Sequence, residues 1–233
     1  MSAGRAISAQ PPVPGTAQQH AVESLRRLIV SGELKPGQRV NQEDIAEQVG
    51  LSVAPVREAL RVLEQEGQVT YLPRRGYFVT ELRIADLEEI YQLRAVLESR
   101  AARHALPSID DDALARITEA ARECVDAAAA ADVAAELAAN RRFHLAILDA
   151  PGQPHALRLI RLLWDSTEAY RAMYYNLPAE RAASIDAHDR IIAAIRDGDA
   201  DRLVSELDAH RSRALQVLGE VLGSARPRTA PTA

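Results

Sequence analysis

The sequence predicts a mostly α-helical protein with two domains, and both composition and periodicity lead to this prediction. The 233 residues are 47% hydrophobic but only 4% aromatic, with alanine runs around residues 127–139. Alanine is the best helix former, whereas sheets favour aromatic and branched residues. Turns interrupt the chain often up to residue 80, and long amphipathic segments follow from residue 86. We therefore expect a domain boundary near residues 80–86.

Both ends of the sequence lack periodicity. Residues 1–18 and 223–233 contain mainly small residues and prolines, and we expect both to be disordered tails. Cys124 is the only cysteine, which excludes a disulfide framework and favours a reducing compartment. No stretch has the pattern of a signal peptide or is apolar enough to span a bilayer. The sequence therefore predicts a cytoplasmic protein with no membrane contact.

The charges are distributed unevenly along the chain. The formal net charge is −5, which by itself argues against a nucleic-acid-binding protein. Residues 1–80 contain 9 basic and 8 acidic residues, whereas residues 81–233 contain 19 basic and 25 acidic residues. The acidic surplus lies in the C-terminal part, so it does not exclude DNA binding by the N-terminal part.

Residues 19–80 have the pattern of short helices separated by turns. A first helix ends near Leu34, where the turn "KPGQ" follows. A second helix near 42–49 is capped by Asn41 and stops at Gly50. A third helix follows after a short turn in "VGLS", and two short helices joined in this way make a helix-turn-helix.

The third helix has a distinct apolar face and a distinct start. Ser52 is its expected N-cap, and Pro55 is tolerated in its first turn because the backbone N–H groups there have no helical partners. Val56, Leu60 and Leu63 recur at helical spacing and predict the buried face.

A basic hairpin is predicted after the third helix. The β-prone segments "QVTYL" and "YFVTEL" are joined by "PRRG", which contains two arginines at the tip. Helices followed by a basic hairpin are the element order of a winged helix-turn-helix, with the hairpin as the wing.

The exposed side of this module indicates DNA binding. Arginine suits guanine edges and phosphates because its planar fork donates two parallel hydrogen bonds. An arginine pair alone is more often a solvated face, and it is the order of elements that favours a DNA contact. The predicted DNA-contacting residues are Ser52, Ala54, Pro55, Arg57 and Arg61 on the third helix, and Arg74, Arg75 and Gly76 at the wing tip.

The same segment resembles a known family. The motifs "LKPG", "DIAEQVGLS", "PVREALRVLEQEG" and "RRGYFV" closely resemble the DNA-binding domain of GntR-family transcription regulators. That family commonly has an arginine directly after the motif serine, where this sequence has Val53. Arg57 of the motif is retained, so the resemblance still implies binding to double-stranded operator DNA.

Residues 86–222 predict a bundle of six helices. Their expected positions are 86–105, 110–129, 131–149, 154–175, 178–197 and 199–222. The acidic composition favours an effector-binding and dimerisation domain over a second DNA-binding unit.

Three of these helices each direct one histidine inward. His144 shares an apolar stripe with Asn140 one turn earlier, His188 is in register with isoleucines, and His210 falls among the core positions of the last helix. A single core histidine is more often a hydrogen-bonded structural residue. Three that converge suit a divalent transition metal such as zinc or nickel.

The spacing of these residues is similar to the FCD effector domain of the FadR-type branch of the GntR family, in its VanR-like subgroup. The segments "NRRFH", "HDRIIAAIRDGD" and "DAH" place His144, His188 and His210 at the metal-binding positions of that family. Asn140 stands where the family has an acidic ligand. An amide oxygen supplies no charge, so a carboxylate effector is expected to complete the shell.

Arg94 in "YQLRAVLES" lies on an apolar stripe with Glu98 one turn later. A buried arginine requires an anion, because unpaired burial is costly. One interpretation is a structural ion pair with Glu98 or with an acid on another helix. The other, implied by similar FCD domains, is a clamp for the carboxylate of a metabolite.

These observations predict a homodimeric transcription regulator that responds to a small carboxylate, with repression released by the effector as the commoner behaviour in the family. A dimer is expected because one small winged helix reads too few bases. Two alternatives remain: a metal-dependent enzyme that acts on a small acid in the bundle, and an architectural dimer whose bundle binds nothing.

Overall fold

The structure, a computed structural model, describes residues 16–149 and 152–225. The tails predicted at residues 1–18 and 223–233 lie mostly outside these residues. Where they overlap, the structure differs from the prediction, because the first helix begins at Ala17 and the last helix ends at Ala225. The early start has a local cause: Thr16 and Gln19 cap the first helix reciprocally.

The N-terminal domain contains three helices and a small antiparallel sheet. The helices are α1 (Ala17–Val30), α2 (Gln42–Val49) and α3 (Val53–Gln65), and the strands are β1 (Arg39–Val40), β2 (Val69–Leu72) and β3 (Gly76–Val79). The sheet order is β1-β3-β2. The predicted winged helix-turn-helix is therefore confirmed. The sequence did not indicate β1, because two residues show no alternation and form a strand only by pairing with β3.

Local capping and one buried face explain why α2 and α3 form. Asn41 accepts a hydrogen bond from the backbone N–H of Glu43 at 3.1 Å, and Gly50 ends α2 with a left-handed φ of 69°. Ser52 occupies the N-cap position of α3, although no side-chain capping bond forms there. The predicted apolar face of α3 is fully buried between α1 and the sheet; its residues are Val56, Leu60 and Leu63.

The C-terminal domain is all-helical, as predicted. Its helices are α4 (Ile84–Ala105), α5 (Asp111–Ala129), α6 (Val133–Leu148), α7 (Pro154–Ser166), α8 (Glu168–Tyr175), α9 (Pro178–Arg196) and α10 (Ala200–Ala225). The helix predicted over 154–175 is divided into α7 and α8. Within the described ranges, no helix is both long and apolar enough to cross a membrane.

The division between α7 and α8 lies at Thr167. The Thr167 hydroxyl donates to the carbonyl oxygens of Leu163 and Trp164, both at 3.2 Å. Arg171 Nη2 also donates to the Trp164 carbonyl at 3.0 Å. These side chains replace the backbone donors that a continuous helix would supply. The apolar pattern continues across the break, so the sequence alone shows one helix.

The α7–α8 junction contacts the N-terminal domain. A Cβ atom placed on Gly67 would lie 3.2 Å from Ser166 Cβ, so these two segments of the backbone approach each other closely. Tyr170 Oη accepts a hydrogen bond from the backbone N–H of Leu82 at 2.6 Å. The segment that follows the wing is therefore attached to α8.

Candidate metal centre and nucleic-acid interface

Three histidines converge in the core of the C-terminal domain, as their inward spacing predicted. His144 lies on α6, His188 on α9 and His210 on α10, and one ring nitrogen of each lies within 4.8 Å of the others. The rings of His144 and His210 are stacked with centroids 5.1 Å apart. Each of the three helices α6, α9 and α10 therefore contributes one imidazole to a single cluster.

The environment keeps these imidazoles neutral near pH 7. Burial lowers the pKa of His144 and of His188 well below the ordinary 6.5, and the neighbouring His210 adds to the effect. Burial and the Arg94 guanidinium lower the pKa of His210 to about 4. A neutral imidazole is the form that binds a metal ion.

The buried nitrogens fit a divalent transition metal. Both ring nitrogens of His144 and Nδ1 of His188 have no hydrogen-bond partner among the described residues, and buried polar atoms without partners are rare. His188 Nε2 lies 3.1 Å from Asn140 Oδ1, so the amide oxygen also lies beside the cluster. Three imidazole nitrogens and an oxygen are donors that zinc and nickel accept. His144, His188, His210 and Asn140 could therefore hold such an ion.

Arg94 forms the structural ion pair that the sequence suggested. Its Nε donates to Glu98 Oε1 at 2.7 Å, and Arg211 Nη1 donates to Glu98 Oε2 at 2.5 Å. The Trp164 indole also donates to Glu98 Oε1 at 2.8 Å. Burial alone would raise the pKa of Glu98, but the two guanidiniums outweigh it and hold the pKa below its ordinary value. Glu98 is therefore a carboxylate shared by three helices.

Arg94 also lines a cavity beside the histidines. The ion pair with Glu98 therefore does not exclude the other interpretation, in which Arg94 binds the carboxylate of a metabolite. His144, His210 and Asn140 line the same cavity. The cavity is small, with a volume of about 30 Å³. We therefore expect any ligand there to have few non-hydrogen atoms.

The sequence analysis missed several polar residues of this cavity, among them one tyrosine and two arginines. Tyr91, Arg171 and Arg211 line it together with Arg94. Tyr91 lies on the same apolar stripe as Arg94, and this pattern does not show that its hydroxyl needs a polar partner. Arg211 follows directly after His210, and this position next to an inward histidine could have indicated that Arg211 is buried. For Arg171, no sequence pattern indicates burial.

A buried glutamate one turn before Asn140 is expected to make the stability of the domain depend on pH. Glu136 is 1% exposed, and burial raises its pKa from the ordinary 4.5 to about 7, although Arg181 at 3.5 Å partly offsets this. The folded protein keeps the proton where the unfolded chain releases it. This contribution to stability is therefore lost as the pH rises from about 4.5 to about 7.

We expect Glu136→Gln to abolish this loss. The free energy of unfolding of the variant, relative to wild type, should increase between pH 5 and pH 8, as measured by urea denaturation. Cys124 and Tyr174 interact electrostatically with the Glu136 carboxyl. Burial raises the pKa of both groups, so they stay neutral between pH 5 and pH 8. A difference between the two proteins that is constant with pH would contradict the prediction.

The exposed side of α3 carries the predicted DNA-contacting residues. Ser52, Ala54, Arg57 and Arg61 are exposed and Pro55 is partly buried. Arg57 Nε donates to Gln42 Oε1 at 3.2 Å, and Arg61 pairs with Glu58 at 2.9 Å. Gln42 and Glu58 both belong to the N-terminal domain, so these contacts do not hold either arginine against the acidic bundle.

The wing tip adds further basic side chains. Arg74 and Arg75 are exposed, with Arg74 at a φ of 65°. Gly76 has a φ of 93°, a conformation that L side chains adopt only with strain. A Cβ atom on Gly76 would lie 3.8 Å from Arg39 Nε. Arg39 therefore belongs to the same basic surface, and it was missed because β1 was missed.

Comparison with known proteins supports both parts of this description. Residues 17–79 match the model for bacterial regulatory proteins of the gntR family, and residues 89–213 match the model for the FCD domain. The chain is 27% identical over 199 residues to the HTH-type transcriptional regulator YdhC of Bacillus subtilis, covering 85% of this chain and 89% of that protein.

A regulator from Escherichia coli matches in sequence and in structure. The HTH-type transcriptional regulator McbR is 29% identical over 198 residues, which is 81% of this chain and 90% of McbR. The solved structure of E. coli McbR/YncC superposes with a TM-score of 0.77 at 26% identity, over 90% of this chain and 100% of that one. The chain therefore belongs to the GntR family of bacterial transcription regulators and carries an FCD domain as its C-terminal part.

Proposed function

We propose that this regulator is a repressor that binds operator DNA as a homodimer and releases it when a small carboxylate binds beside a divalent metal. Residues 19–80 bind the DNA, and residues 86–222 bind the effector and form the dimer. The proposal rests mainly on one observation, which is the buried cluster of three neutral histidines beside a cavity lined by arginines.

The DNA-binding part of the proposal is supported by the exposed residues of α3 and the wing. The exposed side chains of this helix form the surface that enters a major groove, where Arg57 contacts base edges or phosphate. They include Ser52, Ala54 and Arg61. Arg74, Arg75 and Gly76 at the wing tip contact the backbone or the minor groove. The charge balance of the whole chain is no obstacle, because these arginines lie on the N-terminal domain.

The effector part of the proposal follows from the charges around the histidines. A bound divalent metal would supply positive charge that attracts and orients an anionic ligand. The four protein donors, Asn140 and the three histidines, are all neutral, so they leave that charge uncompensated. Arg94 adds a guanidinium at the cavity wall, which Glu98 holds in place at 2.7 Å. A small carboxylate can compensate the charge of the metal and accept hydrogen bonds from Arg94.

The break between α7 and α8 provides a route from the cavity to the DNA-binding domain. Trp164 and Arg171 line the cavity on either side of the break, and Tyr170 holds the backbone of Leu82. A ligand that moves these side chains therefore also moves a contact with the N-terminal domain. Only a ligand that binds one arrangement more tightly than the other can change the affinity for DNA.

An exposed apolar face supports the dimer. Leu93 and Val96 on α4 are 47% and 71% exposed, and Leu159 and Leu162 on α7 are 44% and 42% exposed. The two helices pack against each other, so the four side chains can form one continuous surface. Contiguous exposed apolar surface commonly marks a protein interface.

We expect Val96→Asp to convert the dimer into a monomer. An unpaired carboxylate in an apolar interface costs several kcal/mol, so dimer affinity should fall by about 100-fold. Sedimentation at several concentrations measures this. Val125→Asp is the matched control, because Val125 is 43% exposed on α5, a helix that packs mainly against α6 and α9. If Val125→Asp dissociates the dimer equally, or Val96→Asp does not, the interface lies elsewhere.

The central experiment measures binding to the DNA upstream of the regulator's own gene by fluorescence anisotropy. Zinc-loaded protein should bind this DNA more tightly than scrambled DNA, and a series of small carboxylic acids should contain one that weakens binding. Failure to prefer the upstream DNA at low salt would overturn the assigned DNA-binding role. The alternative of a metalloenzyme receives no support from the relatives, which are named transcriptional regulators.

A further inference from the structure

Arg171 is a buried guanidinium without a matching anion. It is 4% exposed, and its Nε and Nη1 have no hydrogen-bond partner among the described residues. Only Nη2 is used, as a donor to the Trp164 carbonyl at 3.0 Å. Burying an arginine in this way is costly, because its charge has no carboxylate partner among the described residues. Such a group indicates a binding partner that is not part of the protein.

The other two arginines of the cavity differ from Arg171 in this respect. Arg94 and Arg211 share the carboxylate of Glu98 at 2.7 and 2.5 Å. No carboxylate in the described part of the chain lies within 4.0 Å of Arg171, and Glu168 acts on it only from a greater distance. Asp208 also pairs with Arg211. The two carboxylates of Glu98 and Asp208 therefore match Arg94 and Arg211, which leaves the positive charge of Arg171 without a partner.

The free donors of Arg171 belong to the same cavity as the histidines. Arg171 lines the cavity together with Tyr91, whose hydroxyl also lacks a hydrogen-bond partner among the described residues. The guanidinium carbon lies 4.2 Å from the centre of the Trp164 ring, as does that of Arg94. Arg171 and Tyr91 thus offer hydrogen-bond donors that are separate from the imidazole nitrogens.

We propose that Arg171, with the Tyr91 hydroxyl, binds a second carboxylate of the effector, so that the effector is a short dicarboxylate. This inference rests on the proposed function, in which one carboxylate lies beside the three histidines. A guanidinium offers two parallel N–H donors that match the two oxygens of a carboxylate. The ligand must be short, because the cavity has a volume of only about 30 Å³.

Calorimetric titration with succinate and butyrate tests the inference. The two acids have the same chain length and differ in one carboxylate. Zinc-loaded wild type should bind succinate at least about tenfold more tightly than butyrate, corresponding to about 1.4 kcal/mol. Arg171→Gln should reduce this preference to within about twofold and leave butyrate affinity nearly unchanged. Arg213→Gln is the control, because Arg213 pairs with Glu180 outside the cavity.

The stability of the ligand-free variant separates binding from a structural role. Arg171→Gln removes an uncompensated buried charge, so its Tm without ligand should equal or exceed that of wild type. A lower Tm with an unchanged preference for succinate would assign Arg171 to structure and overturn the inference. Equal binding of succinate and butyrate by wild type would overturn it too, while the single-carboxylate effector site would stand. If neither acid binds wild type, with or without zinc, the inference and the carboxylate part of the proposed function fail together.

Discussion

Asn140→Asp should raise the affinity of the regulator for zinc by at least about tenfold, or about 1.4 kcal/mol. Asn140 Oδ1 already lies 3.1 Å from His188 Nε2, so the new carboxylate would have the same position as the amide. A carboxylate brings a full negative charge to a divalent cation, whereas the amide brings only a dipole. Competition with a chromophoric chelator measures the zinc affinity directly.

The controls distinguish coordination from a general charge effect. Asn176→Asp adds the same charge at an exposed position at the end of α8, and it should leave zinc affinity unchanged. His188→Ala removes a nitrogen of the cluster and should weaken zinc binding by at least about 100-fold. If Asn140→Asp and Asn176→Asp behave alike, then residue 140 is not a ligand.

Arg57→Ala should weaken operator binding by about 1–3 kcal/mol, or about 5- to 150-fold. Arg57 is exposed, and its Nε donates a hydrogen bond to Gln42 Oε1 at 3.2 Å. Its loss should therefore not unfold the domain, and the effect should appear in DNA affinity alone. Fluorescence anisotropy with the upstream DNA at fixed salt is the measurement, because phosphate contacts make any such affinity depend on salt.

Arg122→Ala is the matched control for this prediction. It removes the same charge from α5, where Arg122 is exposed and pairs with Glu119 and Asp126. Binding to the upstream DNA should be unaffected. If both alanine variants lose affinity to the same degree, then the effect reflects total charge and Arg57 has no specific contact.

Much of the fold could be predicted because local signals agree with the packing. The spacing of Val56, Leu60 and Leu63 identified the buried face of α3, and the turn residues marked its neighbours. The histidines could be found because each lies in register with apolar residues on its own helix. Their convergence within 4.8 Å follows once the three helices pack together.

Other features depend on contacts between distant segments and have no local signal. Strand β1 exists only through its pairing with β3. The break at Thr167 is produced by side-chain donors, among them Arg171 from the following helix. The burial of Arg171 depends on which helices cover α8, and periodicity cannot show this. The sequence therefore indicated the candidate metal ligands but not the second set of hydrogen-bond donors in the cavity.

The carboxylate of Glu98 has a consequence for attempts to adapt this regulator as a biosensor. It joins α4, α7 and α10 through Arg94, Trp164 and Arg211. Removing one partner from such a buried ion pair typically costs about 3–5 kcal/mol, a large part of the stability of a domain. A library that varies the analyte specificity should therefore keep Glu98 and its three partners, and randomise Tyr91 and Arg171 instead.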